Sequence, residues 1–383
     1  MKRVVFLIRN IAPESFGGGE RYQINLAKVL IRNGFRPIIF TASRRLIDEA
    51  RNNKIEFVRA PYLRQQNWSS FRNAFLPVYW AWQLRLQKWY KRQIKKYNPV
   101  VLNIQSRDEL IGASLAGIKC GRKVIWTDHA DFRTWVLQNV NVRFKNQIGK
   151  WILRCAKRVN TIVLISEHEK ESFEKTVYPF KMNNLVVIKN GVIDEYSNYK
   201  KENDENNSFC FVGRVVKDKG VIELIKAFKE VARKNQGVVL NIYGDGDDLM
   251  ECQELAKDEE RIRFYGYIND TLDAIAKNTC FVLPSYHEGL SLALLDAAMM
   301  GKTIVATDIS GNREVVEEGI TGLLVPVKRI GELKEAMEKV LDDKKMAEKM
   351  AKMARKKFEQ EFDLEKIFKD KMAVLYEGDN NEK

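Results

Sequence analysis

Apolar residues along this chain come in short unbroken runs, separated by stretches where they recur every three or four positions. VVFLI (Val4 to Ile8), RPIIFTA, IEFVRA, VVLNIQ, KVIWTD and TIVLIS are of the first kind. Short apolar runs without alternation mark strands buried on both faces. ERYQINLAKVLIRNG (Glu20 to Gly34) is of the second kind, an amphipathic helix stopped by Gly34. Strand and helix alternate in this way through the first half, which predicts a parallel sheet with helices on both faces. KKENDENNS (Lys200 to Ser208) is nearly free of apolar residues and reads as a linker or long turn. A first domain over residues 1–199 is therefore expected, with a second beginning at 200. The same grammar then restarts. SFCFVG, VVLNIYG, RIRFYG, CFVLPS, TIVATD and GLLVPV are strand runs. VIELIKAFKEVARKN and LSLALLDAAMM are helices, and charged helix fills the rest to FDLEKIFKDKMAVLYEG. The expected fold class is α/β: two doubly wound parallel-sheet domains in tandem. In such sheets ligands bind at the carboxyl ends of the strands, and a cleft between two facing sheets is the default site.

Length supports two cores, since 383 residues exceed what one ordinary core holds. No stretch approaches a membrane span. VVFLI after Met1-Lys2-Arg3 is too short for a secretory signal. Five scattered cysteines with no C-x-x-C pair read as reduced core thiols, so a cytoplasmic protein is expected. Charge changes the picture more. Residues 1–200 hold 36 Lys and Arg against 15 Asp and Glu, a net of +21, whereas residues 201–383 hold 29 against 36, a net of −7. A basic first half calls for an anionic partner: nucleic acid, a membrane surface or a polyphosphate. SSFRNAFLPVYWAWQLRLQKWYKRQIKKY (Ser69 to Tyr97) concentrates that charge with Trp80, Trp82, Trp89 and Tyr90. Such a helix can lie on an anionic membrane, or pack on the sheet with a snorkelling basic side.

The chemistry-bearing motifs fall at strand ends. Glu288 and Asp296 stand eight residues apart in HEGLSLALLD. On one helix that separation is about 12 Å, too far for the roughly 5–9.5 Å of a glycosidase acid pair. It suits two grips on one long ligand such as a nucleotide sugar. Asp296 lies in an apolar run and needs a partner, either that ligand or a neighbouring protein group. FVGRVVKDKG (Phe211 to Gly220) places Arg214 and Lys219 in a loop between strand and helix, where two cations can hold a departing diphosphate. FGGGERY (Phe16 to Tyr22) offers glycines at a helix start for close phosphate approach, or a plain turn. WTDHADF contains His129 beside Asp128 and Asp131; with no second histidine at ligand spacing, substrate contact is preferred over a metal. YGDGDD (Tyr243 to Asp248) holds an Asp-x-Asp, read as a strand-to-helix turn with Asp as N-cap rather than as a cation site.

Taken together, GGGERY, GRVVKDKG, YGDGDD, HEGLSLALLDAAMMG and TDISGNREVVEEGITGLLVP resemble family 4 of the retaining glycosyltransferases, built on the GT-B architecture of two Rossmann-like domains facing across a cleft. The resemblance covers nearly the whole chain and is strongest from Phe209 to Val327. It implies that Arg214 and Lys219 bind the donor diphosphate and aid its departure, and that Glu288 contacts the transferred sugar. Backbone N–H groups of Gly289, Leu290 and Ser291 would hold phosphate and sugar, with Gly244 in the same nucleotide site and Tyr267 near the base. Gly18 and Gly19 would approach the diphosphate from the first domain, where His129 would meet the transferred sugar. Asp296 stands where the family usually has a ribose-gripping glutamate. Residues 363–383 would return onto the first, acceptor-binding domain, leaving 200–362 as the nucleotide-sugar domain.

The resemblance further implies no bound metal or other cofactor, a nucleotide-diphosphate sugar as donor with UDP ahead of GDP, and front-side displacement with retained configuration. A basic acceptor domain points to a lipid-linked or glycan acceptor in cell-surface polysaccharide or glycolipid synthesis. It also points to an anionic membrane surface as partner, with the protein peripheral on the inner face of the cell membrane. The rival readings are a nucleotide-sugar epimerase of the same fold, and a nucleic-acid-binding protein using the basic half. Nucleotide-site motifs in the acidic half argue against the latter, so no nucleic-acid partner is expected.

Overall fold

The structure, a computed structural model, describes residues 2–14, 17–63, 76–129, 147–199 and 207–377. The chain divides into two units, Met1–Asn190 with Leu364–Lys383, and Gly191–Asp363.

In the first unit, seven strands form one parallel sheet in the order β3-β2-β1-β4-β5-β6-β7. They are β1 (Arg3–Ile8), β2 (Phe35–Thr41), β3 (Glu56–Arg59), β4 (Val101–Ile104), β5 (Lys123–Asp128), β6 (Thr161–Leu164) and β7 (Leu185–Val187). The helices between them are α1 (Gly18–Arg32), α2 (Arg44–Asn52), α3 (Leu76–Tyr97), α4 (Gly112–Lys119), α5 (Gln147–Ala156) and α6 (Glu167–Val177). The apolar runs explain the sheet: β1 is buried from Val4 to Ile8, as a central parallel strand covered on both faces must be. Strand order reverses between β1 and β4, which pair from Val5↔Val101 to Ile8↔Ile104. That reversal opens a crevice at their carboxyl ends. On α3, Tyr79, Leu86, Tyr90 and Ile94 recur at helical spacing and face the core. Trp80 lies 4.8 Å from Trp151, and Trp89 lies 5.8 Å from Phe40. Two of the tryptophans expected on a membrane face are thus drawn into packing. Ser69 to Phe75 of that expected helix lie outside the described residues.

The second unit has six parallel strands in the order β10-β9-β8-β11-β12-β13. They are β8 (Ser208–Val212), β9 (Val239–Tyr243), β10 (Ile262–Gly266), β11 (Cys280–Leu283), β12 (Thr303–Thr307) and β13 (Leu323–Val325). Its helices are α7 (Val221–Lys234), α8 (Leu249–Ala256), α9 (Thr271–Ala276), α10 (Leu292–Met299), α11 (Ser310–Arg313), α12 (Ile330–Asp342) and α13 (Lys344–Glu361). The crevice here lies between β8 and β11.

The boundary differs from the expected one at 199/200. Val192 pairs with Asp363, and Arg355 grips both oxygens of Asp194 at 2.9 and 2.6 Å. Those contacts draw residues 191–198 into the second unit, ahead of the polar stretch, whose residues 200–206 lie outside the described residues. At the other end the chain returns to the first unit. Arg32 on α1 donates to Glu365 at 2.7 Å, and Asn103 on β4 donates to the Tyr376 hydroxyl at 2.6 Å.

Candidate active site

In the second unit, loops after β8, β9, β11 and β12 lie on one another. Val215 N–H donates to Asp245 O at 2.9 Å, and Asp248 N–H to Val215 O at 3.1 Å. A Cβ on Gly244 would fall 1.7 Å from Gly213 O. Loop packing alone therefore requires that glycine, whatever it does for a nucleotide. Asp245 accepts from its neighbour Gly246 N–H at 2.7 Å, as a turn aspartate does. Asp248 occupies the N-cap position of α8, as expected of an Asp at this strand-to-helix turn, although its side chain makes no capping bond.

The Tyr286 N–H donates to Asp218 O at 2.7 Å and pulls the loop after β11 onto the turn Lys217–Lys219. Lys219 Nζ then donates to Glu288 Oε1 at 2.5 Å, with the two side chains 20% and 10% exposed. The two residues read as separate grips on donor are thus paired to each other. The Arg214 side chain is exposed and makes no hydrogen bond or ion pair with the described residues. Gly289, Leu290 and Ser291 lead into α10, and Ser291 occupies its N-cap without a side-chain cap bond. Uncapped first-turn N–H groups and the helix dipole favour an anion there. This loop is pinned from below: a Cβ on Gly311 would sit 1.8 Å from Gly289 O, and Thr307 Oγ1 donates to Ser285 O at 2.5 Å. Neither Gly311 nor Thr307 was singled out in the sequence, although both stand in TDISGNREVVEEG.

Asp296 sits on α10, 0% exposed, and is engaged within the chain. Tyr267, just past β10, is exposed, while its neighbour Tyr265 stacks on Tyr243 at 4.6 Å and 17°.

In the first unit, Gly18 and Gly19 open α1. Arg9, immediately after β1, donates Nε to Glu20 Oε1 and Nη1 to Gln105 O, each at 2.7 Å. Its guanidinium lies where a Gly19 Cβ would stand, 2.4 Å from Nη2, so Gly19 admits a cation from within the chain. His129 follows β5, half-buried, its ring 4.6 Å from that of Tyr22. Its Nδ1 lies 3.1 Å from Asn190 Oδ1 and its Nε2 lies 2.9 Å from Gln105 Oε1. Burial first, then the charge of Arg9, push its pKa down to about 3, so the ring is neutral. Asp128 is buried and engaged within the chain, and Asp131 lies outside the described residues. Glu109 is buried nearby, accepting from Asn10 Nδ2 and Ser106 Oγ, each at 2.7 Å. Burial, then the charge of Asp108, push its pKa up to about 8. Arg9, Gln105 and Asn190 escaped the sequence reading; only Arg9, a cation closing a strand run, carried a signal like that of Arg214.

Two crevices at strand ends, one bearing a paired and an exposed cation, are where an α/β fold of this kind places its ligand sites. The family model "Glycosyltransferase Family 4" matches residues 16–196 and "Glycosyl transferases group 1" matches 192–357. The chain belongs to family 4 of the glycosyltransferases and has the GT-B fold. It is 25% identical over 383 residues to an uncharacterized glycosyltransferase of Haemophilus influenzae, covering 98% of this chain and 100% of that one. It is 27% identical over 308 residues to the UDP-Gal:alpha-D-GlcNAc-diphosphoundecaprenol alpha-1,3-galactosyltransferase of Escherichia coli, covering 75% and 77%. Among solved structures, Anabaena Alr3699/HepE in complex with UDP and glucose superposes with a TM-score of 0.74 at 17% identity, covering 98% and 99%.

Proposed function

We propose that this glycosyltransferase moves a hexose-type sugar from a nucleotide-diphosphate sugar to a lipid-linked or glycan acceptor, retaining the anomeric configuration. The observation that carries the reading is the Lys219–Glu288 pair beside exposed Arg214 at the uncapped start of α10. Arg214 and Lys219 hold the diphosphate and take up the charge that grows as the C1–O bond breaks. Glu288, released from Lys219, accepts from a sugar hydroxyl. N–H groups of Gly289, Leu290 and Ser291 meet phosphate and sugar, and Tyr267 lies by the base. Gly18, Gly19 and His129 serve from the first unit. The acceptor oxygen bonds to C1 from the side the phosphate leaves, and its proton passes to the departing phosphate oxygen. Two cations at the leaving group let this run without a metal. UDP is favoured over GDP; the names of the Escherichia coli relative and the Anabaena structure both carry UDP.

The acceptor half is basic, and the diphosphoundecaprenol in that relative's name is an anionic lipid carrier. Among the described residues no helix is long and apolar enough to cross a membrane. From the basic charge of that half we propose a cytoplasmic protein, peripheral on the inner membrane face, with no nucleic-acid partner. The test is a thermal-shift panel of UDP, GDP and ADP and their glucose conjugates, with and without EDTA. A ligand that binds only the folded state raises Tm. One nucleotide shifting Tm alike in both buffers is the expected result; no shift with any of them overturns the reading. An epimerase would consume donor with no acceptor present, which the same preparations separate.

A further inference from the structure

Both ring nitrogens of His129 end on primary amides, Nδ1 on Asn190 and Nε2 on Gln105. A neutral imidazole has one N–H and one lone pair, so one amide must turn its NH2, not its oxygen, to the ring. What is left over decides which. With Gln105 Oε1 on the ring, Gln105 Nε2 is a buried donor without a partner, in a side chain 1% exposed. A half-turn of that amide gives the donor the ring lone pair and leaves an oxygen unpaired instead. Buried N–H groups without partners are the rarer of the two. Only the terminal amide can turn: Gln105 N–H is held on Ile8 O at 2.8 Å and its carbonyl by Arg9 Nη1 at 2.7 Å. Asn190 therefore keeps its oxygen on Nδ1–H.

We infer that Asn190 is a positioning residue: it fixes His129 as the Nδ1–H tautomer, so that the Nε2 lone pair accepts from a substrate hydroxyl that replaces the Gln105 NH2. The inference rests on the proposed contact between His129 and the transferred sugar. Asn190 suits the task, being buried and the last residue before the chain enters the second unit. Among the described residues, the charged and titratable groups near the ring come from four places. Arg9 from the end of β1 is offset by Glu20 of α1, Tyr22 of α1 faces the ring, and Asp128 precedes it on β5.

The experiment uses the full chain labelled with ring 15N-histidine, the His129 signals being assigned by their loss in H129Q. Ring shifts are read across about pH 5 to 8, where an ordinary histidine titrates. Nucleotide release is measured with whichever of UDP-, GDP- or ADP-glucose raises Tm most. The wild-type ring should show one Nδ1–H form throughout. N190A should mix the tautomers. N190D, of the same size and so a guard against misfolding, should raise the ring pKa by its charge and give nucleotide release an acid limb absent from the wild type. An Nε2–H ring, a wild-type ring that titrates in this range, or an N190D ring that stays neutral overturns the inference. A protonated N190D ring with unchanged nucleotide release leaves the tautomer standing and overturns the contact with substrate.

Discussion

Lys219 and Glu288 neutralise each other across 2.5 Å, in a half-buried site where neither charge is fully hydrated. The pair keeps both side chains from being uncompensated charges while the site holds no donor. A diphosphate carries more negative charge than one carboxylate, so in the proposed reaction it would draw the ammonium away and free Glu288 for a sugar hydroxyl. Lys219→Ala should therefore lower kcat by about 100-fold or more, the range for removing one group that stabilises a developing oxyanion. Glu288 can still reach water, so Tm should move by only a few degrees. Turnover at the wild-type level in a folded variant would remove Lys219 from the leaving-group site. Asp296 teaches the opposite lesson. A carboxylate in the run LALLDAAMM is conspicuous, and the sequence says only that it needs a partner. Which partner depends on residues folded around α10, where Asp296 is fully buried and engaged within the chain.

At the scale of elements, Gly311 on α11 carries the backbone of the loop that holds Glu288. Its missing Cβ leaves room for Gly289 O, which would otherwise stand 1.8 Å away. Gly311→Ala should push that loop off the start of α10, raising KM for the donor and lowering Tm, since overpacking costs roughly 1–3 kcal/mol. Unchanged KM and Tm would show that the loop yields freely. On α3 the sequence supplied both faces at once. Spacing marks the buried stripe Tyr79, Leu86, Tyr90 and Ile94, and leaves Arg85, Lys88, Arg92, Lys95 and Lys96 exposed, with Val78 and Leu84 about half exposed. A triple neutralisation, Lys88→Gln with Arg92→Gln and Lys95→Gln, should weaken binding to phosphatidylglycerol vesicles roughly 100-fold at low salt, at about 1 kcal/mol per charge. Equal sedimentation of wild type with neutral vesicles would sink the electrostatic reading. Strands with long apolar runs were legible because a doubly covered strand must be apolar. β7 was not, having three residues of which Val186 is exposed. The unit boundary was misread for a related reason. Polarity marks a linker, whereas the crossing is set by the pairing of Val192 with Asp363, which no local pattern encodes. Arg9, Gln105, His129 and Asn190 likewise meet only because parallel strands bring distant loops to one edge.

For the whole molecule, buried Glu109 and half-buried His129 pull stability in opposite directions with pH. Glu109, raised to about 8 by burial and Asp108, keeps its proton when folded but loses it near pH 4.3 when unfolded. Between those values the folded state binds more protons, so its stability falls as pH rises. His129, lowered to about 3, holds fewer protons folded than unfolded up to about pH 6.5, so its contribution rises with pH over that span. The two trends oppose each other up to pH 6.5, and above it only Glu109 still acts. The protein should therefore lose on the order of 2 kcal/mol between pH 6.5 and 8, at about 1.4 kcal/mol per unit for one proton. Glu109→Gln keeps the shape of the neutral acid and an oxygen for Asn10 Nδ2, but has no proton to lose. Its melting temperature should stay flat across that interval while the wild type drops by a few degrees. Parallel slopes in the two proteins would place the titration elsewhere and make Glu109 an ionised residue of the folded state. A flat variant would show instead that Glu109, held by Asn10 and Ser106, is a neutral acid of the folded state near pH 7.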